Sequence, residues 1–289
     1  MFKDSSISNN LAVSVQHYLD DLFVKEGAYF DISNTSGYYG NLSTLTKTNL
    51  PEYTAGRVWS TRRQNWMWES GIPISGVWVN NTLMTSGYRL NYRDGYVLFD
   101  NPVSGVVKLN YSFKYIDVRD ADNTPFLRDD FNSFNVADSH FTTGSGFNYK
   151  DKIQLPCISI DAVSKSETTP FELGSRVKIH DNTIVVHIIT EDSATNNKIR
   201  DRIQADEETY IKIFDLEASK RSGAYPVSKD GFLVNPSGTY SYLTENFKFS
   251  KSSRSDTFVT KVINEGIAKL PNGLVHGTLR ISLETILSV

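Results

Sequence analysis

The sequence predicts an α+β, β-rich fold of antiparallel and mixed sheets, with an N-terminal helix and a strand-helix-strand unit in the C-terminal half. Three observations carry this. In Val107, Leu109, Tyr111, Phe113 and Tyr115 every second residue is apolar, while Lys108, Asn110, Ser112 and Lys114 fill the alternate positions, the period of a strand with one buried face. Thr183 to Ile189 (TIVVHII) is a nearly continuous apolar, β-branched run, as expected of a central strand covered on both faces. Leu11, Val15, Tyr18, Leu19, Leu22 and Phe23 recur at helical spacing behind a Ser8 or Asn9 cap, and Gly27 ends the pattern.

In chain order, the first helix is amphipathic and suits either packing on the chain's own sheet or docking into a neighbouring subunit. Residues 31–56, rich in Ser, Thr, Asn, Gly and Tyr, read as a long loop or weak hairpin. The segment 57–71 concentrates Arg57, Arg62 and Arg63 with Trp59, Trp66 and Trp68. Arg and Trp are the pair most enriched at binding hot spots, and a buried aromatic cluster with solvated arginines is the plainer reading. Residues 76–118 form a strand-turn-strand ribbon in which Asp94-Gly95 makes a tight hairpin between 88–92 and 96–99. The ribbon's polar face, with Lys108, Asn110, Ser112 and Lys114, meets either water or a neighbour.

Residues 119–150 mix Asp, Asn, Ser and Gly with scattered Phe and read as an irregular connector. This divides the chain into 1–150, a helix plus a hairpin-rich domain with long loops at 31–56 and 119–150, and 151–289, an α/β domain. In the latter, 155–163 is a strand with Ile158, Ile160 and Ala162 on one face. Ser193 caps a helix of roughly 14 residues carrying Ile199 and Ile203. Tyr210 to Phe214 returns to strand, so that strand, helix and strand make a βαβ-like or split unit. Residues 257–263 and 277–287 are two further strands joined by a turn at Pro271-Asn272-Gly273.

The chain has 289 residues, 39% of them hydrophobic and 22% charged, enough for one large domain or two ordinary ones. A net charge of -3 supplies no overall pull toward nucleic acid. The single cysteine, Cys157, excludes an internal disulfide and fits a reducing cytoplasm. Neither a signal peptide nor an apolar run long enough to span a membrane is expected.

The chemistry-bearing residues do not form a known catalytic pattern. The five histidines, His17, His140, His180, His187 and His276, have no metal-ligand spacing. Asp20-Asp21, Asp129-Asp130 and Glu207-Glu208 are adjacent pairs whose side chains diverge on any regular element. Gly144-Ser145-Gly146 lacks the lysine of a phosphate loop, and no Gly-x-Ser-x-Gly elbow occurs. The reading is of a protein that is not an enzyme and uses neither cofactor nor metal.

The helix ISNNLAVSVQHYLDDLFV, the ribbon VNNTLMTSGYRLNYRDGYVLFDNPVSGVVKLNYSFKYI and the segment PFELGSRVKIHDNTIVVHIITEDSATNNKIRDRIQ followed by YIKIFDLE resemble virion structural proteins of tailed bacteriophages. The closest likeness is to the neck or tail-completion type, a tail terminator or collar. The resemblance implies a homo-oligomeric ring at the head-tail junction, with six as one candidate subunit number. Its implied neighbours are neck or connector, tail-tube and sheath proteins, with DNA only as channel cargo and no membrane. It further implies assembly in the host cytoplasm and a final place in the virion. A subunit in a ring needs two different contact surfaces. The expected interface residues are Arg57, Trp59, Arg62, Arg63, Trp66, Trp68, Lys108, Asn110 and Lys114. The alternative is a baseplate or fibre-attachment module that binds a receptor with exposed Trp and Tyr; a third option is a hydrolase whose acids assemble only in the fold.

Overall fold

The computed structural model describes residues 7–25, 42–66, 76–111, 113–120, 154–172, 174, 176–211, 213, 231–232, 257–270 and 273–288. It is β-rich, with two helices and mixed sheets among these residues. The expectations for 31–41, 121–150, Gly27, Trp68 and Ser112 lie outside the described residues.

Two four-stranded antiparallel sheets occupy the first half. One has the order β1 (Ser43–Thr44), β8 (Val107–Asn110), β4 (Gly76–Val79), β5 (Thr82–Met84); the other runs β2 (Thr46–Thr48), β3 (Val58–Ser60), β7 (Tyr96–Phe99), β6 (Tyr88–Asn91). Residues 42–48, expected within a long loop or weak hairpin, contribute two short strands, one to each sheet. Val77, Val107 and Leu109 of the first sheet meet Trp59, Val97 and Phe99 of the second in one core. Tyr96 and Leu98, on the opposite face of β7, pack with Leu50, Val58 and Phe232, so β7 is buried on both sides. The ribbon is thus divided between two sheets, since its hairpins fold their apolar sides toward each other. The β4–β5 turn uses Asn80 and Asn81, both at positive φ (49° and 66°), as a two-residue turn matching strand twist requires. The β6–β7 hairpin closes at Asp94-Gly95 as expected. Gly95 stands at φ 68°, and a Cβ there would lie 2.5 Å from the Arg63 carbonyl oxygen.

The second half is a six-stranded sheet ordered β12 (Tyr210–Ile211), β13 (Thr257–Lys269), β14 (Val275–Ser288), β11 (Val177–Thr190), β10 (Cys157–Pro170), β9 (Asp117–Asp120). All neighbours are antiparallel except β9 and β10. Strands of 13 and 14 residues run roughly 45 Å at the usual rise. Ile158, Ile160, Ile184, Val186, Ile188, Leu279, Ile281 and Leu283 form the core face. The other face of β11, with Thr183, Val185 and His187, is half-exposed. The run 183–189 is therefore central in strand order, and among the described residues both helices lie on one face of it, leaving Thr183, Val185 and His187 on the other half-exposed while Ile189 is buried.

Helix α1 (Ile7–Lys25) buries the expected residues Leu11, Val15, Leu19, Leu22 and Phe23, and their partners are those of the six-stranded sheet. Its first turn contains Ser8, whose hydroxyl accepts from Asn182 Nδ2. The helix thus packs with the second half of the chain, not with the hairpins that follow it. Helix α2 (Ser193–Gln204) is capped by Asp192, whose carboxylate accepts from the Thr195 amide, where Ser193 was expected to cap. It buries Asn196, Ile199, Arg200 and Ile203. Strand β12, after the helix, lies beyond β13 and β14 and runs antiparallel to β11. The unit is split, with no parallel βαβ crossover.

Candidate interface

The Arg/Trp segment turns inward. Trp66 is fully buried and Trp59 only 7% exposed. The Trp66 indole donates to Thr61 Oγ1 at 2.9 Å and to the Arg63 carbonyl at 3.1 Å, and meets Tyr92 edge-on at 6.1 Å between ring centres. The Trp59 N–H donates to the Gly56 carbonyl at 3.1 Å. A large apolar ring whose one polar group is satisfied internally gains most by leaving water, so these two residues are core and not surface contacts. Arg57 donates through Nε to the Phe99 carbonyl at 2.7 Å. Arg63 lies over the Phe113 ring at 5.1 Å, and Arg62 is exposed.

Lys114 is a second correction. β8 ends at Asn110; beyond it Phe113 bridges to Trp66 and the Lys114 amide donates to the Asn65 carbonyl. This bend carries the lysine off the ribbon's polar face into a junction between the two halves. There it is 4% exposed, and its ammonium donates to Asp20 Oδ2 of α1 at 2.5 Å. Gln154 Nε2 donates to the Lys114 carbonyl at 2.6 Å. Nearby, Asn65 Nδ2 donates to Asp117 Oδ1 at 3.3 Å, and Arg119 donates to the other Asp117 oxygen. Burial, reinforced by the Lys114 charge, pushes the His17 imidazole down to about 3, so it is neutral. Burial pushes the Asp117 carboxyl up against the pull of Arg119. These contacts, all internal to the chain, join the halves.

Lys108 does occupy an outer sheet face, while the Asn110 side chain lies outside the described residues. Register sets Thr44, Lys108, Trp78 and Leu83 in one row across the first sheet, on the side opposite the core residues Val77, Val107 and Leu109. The Asn110 backbone pairs with Gly76. Trp78 is half-exposed, Leu83 is 44% exposed, and Val106, just before β8, is 47% exposed. The Lys108 ammonium reaches Asn81 Oδ1 at 3.4 Å. Trp78 and Leu83 were not singled out from sequence. Their signal is the alternation Gly-Val-Trp-Val, which needs the β4–β8 register before it says which residue faces out.

His180, His187, His276 and Cys157 all lie on strands of the six-stranded sheet. His187 Nδ1 lies 3.0 Å from His276 Nε2 with the rings stacked at 18°. Burial, then the neighbouring His187, lowers His276 to about 4, and burial lowers His187. Thr168 Oγ1 lies 2.8 Å from His180 Nδ1. Burial raises the Cys157 thiol, opposite to the shift a nucleophile needs. Among the described residues no three His, Cys, Asp or Glu side chains converge as a metal site, and no helix is long and apolar enough to cross a membrane. No known protein family, curated protein or solved structure matches the chain.

Proposed function

We propose that this chain is a non-enzymatic structural protein of a tailed-phage virion, forming a homo-oligomeric ring at the neck that joins or caps the tail and leaves a channel for DNA. The observation that carries this reading is the outer row of Trp78, Leu83 and Lys108, with Val106 beside it: an aromatic, two aliphatics and one cation held in fixed register on a two-sheet core. Exposed apolar groups clustered around a charge are the composition of a contact surface. The buried junction at Lys114, Asp20 and Asp117 supports the same role, since a subunit that transmits load between neighbours needs its halves locked together. A near-neutral chain gives DNA phosphates little to hold, which suits passage over retention.

The half-exposed Trp78 also favours a second reading, a baseplate or fibre-attachment module that stacks a receptor sugar on the indole. The two separate by experiment. Purified full-length protein, followed by light scattering and negative-stain imaging, gives closed rings on the first reading, and Trp78→Ala or Lys108→Glu shifts it toward monomer or blocks binding to neighbouring virion proteins. A chain that stays monomeric, binds no virion protein and retains glycans through Trp78 supports the second reading and overturns the first.

A further inference from the structure

Among the described residues, the six-stranded sheet is incompletely closed at both edges. On one side β12 pairs with Thr257 and Phe258, Glu208 and Thr209 bond the Val259 backbone, and Glu207 Oε1 accepts from the Val262 amide at 3.4 Å; on the other, β9 pairs with residues 157–160 of β10. Residues 260–269 of β13 have no strand beyond them among the described residues and are exposed save Val262. Residues 161–170 of β10 likewise have no outer partner strand among the described residues. Rows of outward N–H and C=O groups are templates for another strand. Proteins commonly protect such edges with charge and bulges, and both devices occur here: β13 is bulged at Val259/Lys261 and Asn264/Gly266, and β10 between Asp161 and Lys165.

What distinguishes these edges is that they complement each other. β13 runs parallel to β11 and β10 antiparallel to it. A second copy set beside the first with the same strand direction therefore brings its β10 antiparallel to the first copy's β13, continuing the sheet. The exposed cation Lys261 and the exposed carboxylate Glu167 stand on the same, helix-free face, level with Thr183 and Asp181 of β11. Neither has an ion-pair partner among the described residues. A small slide of one copy along the strands sets them opposite each other, with Ile263, itself 38% exposed, further along the same seam. Glu265 does not oppose this, since it is held by Arg280 at 2.6 Å.

We propose that the open edge of β13 pairs antiparallel with the open β10 edge of a second copy, Lys261 against Glu167. This rests on the ring reading above and specifies its seam. Each copy uses one edge as donor and the other as acceptor, so the contact is heterologous and propagates until rotation closes it.

The test uses the full chain with buried Cys157 left in place. Lys261→Cys and Glu167→Cys are introduced singly and together, and the proteins are oxidised and run without reductant. The double variant gives a ladder of dimers and larger species that reductant collapses, while each single variant matches the parent. In parallel, Lys261→Glu reduces the oligomer fraction seen by light scattering, and adding Glu167→Lys restores it. Oligomeric parent protein with no ladder and no charge rescue overturns the seam and leaves the ring reading standing. Dimers from Lys261→Cys alone indicate two-fold β13–β13 pairing and also overturn it. A parent that is monomeric throughout removes the ring reading and this proposal together.

Discussion

Trp66 and Trp78 share one side chain and have opposite surroundings, and the contrast is measurable. Removing Trp66 empties a site enclosed by Tyr92, Tyr111 and Phe113, and such a truncation costs about 3–5 kcal/mol. Chemical denaturation of Trp66→Ala should show that loss, and Trp78→Ala, whose ring is partly exposed, should show a smaller one. Gly277 is the second diagnostic residue. A Cβ there would lie 2.2 Å from Asn196 Oδ1 and 3.0 Å from Arg200 Cδ. The Asn196 amide in turn donates to the Ile188 carbonyl at 3.1 Å and spans toward Val275 on the adjacent strand. Gly277→Ala must displace the Asn196 and Arg200 side chains of α2, and overpacking of this kind costs about 1–3 kcal/mol; an unchanged denaturation midpoint would show that these side chains yield freely. Sequence alone displayed none of this, because a glycine within an alternating strand signals a close approach without saying what approaches.

The buried ion pair between α1 and the segment before β9 gives the prediction at the scale of elements. Lys114→Met leaves the Asp20 carboxylate, only 18% exposed, without its cation, and breaking such a pair costs about 3–5 kcal/mol. The double variant Lys114→Met/Asp20→Leu should recover part of that, a coupling that a denaturation cycle reads directly. The stacked histidines of β11 and β14 give a pH prediction. Both imidazoles have folded pKa values below the unfolded 6.5, His276 at about 4, so below 6.5 the unfolded chain binds protons that the folded chain refuses. Their contribution is therefore whole above pH 6.5 and declines as pH falls toward 4. The stability difference between wild type and His276→Gln should narrow or reverse across that window, and parallel pH profiles would exclude the pair as its source. Helix α1, the β6–β7 hairpin and the β13–β14 hairpin were legible in sequence because each is specified by local periodicity and a turn. The cap at Asp192 was missed by one residue, since Asp192 and Ser193 both carry capping oxygens.

Across the whole molecule, the division into 1–150 and 151–289 placed α1 with the hairpins it precedes, whereas the helix covers the sheet built from the other end of the chain. Its apolar stripe declared that it would be buried but not against what, as any apolar sheet face offers the same free energy per area. If the helix is integral to that sheet, Leu11→Ala should lower the stability of the six-stranded sheet and leave the Trp66 environment in the hairpin core unchanged at low denaturant, read by hydrogen exchange on β11 and by tryptophan fluorescence. The sequence by itself determined the β-rich α+β class, the residues that alternate along each strand, the stripe of α1 and the turns that close the hairpins, because these follow from backbone period and local sterics. Only the tertiary structure decided that Trp59, Trp66 and Lys114 lie inside while Trp78, Leu83 and Lys108 share an outer row, and that parts of β13 and β10 have no outer strand among the described residues. A strand has two faces and two edges of equal local standing, and which of them is covered depends on segments distant in sequence that fold against it.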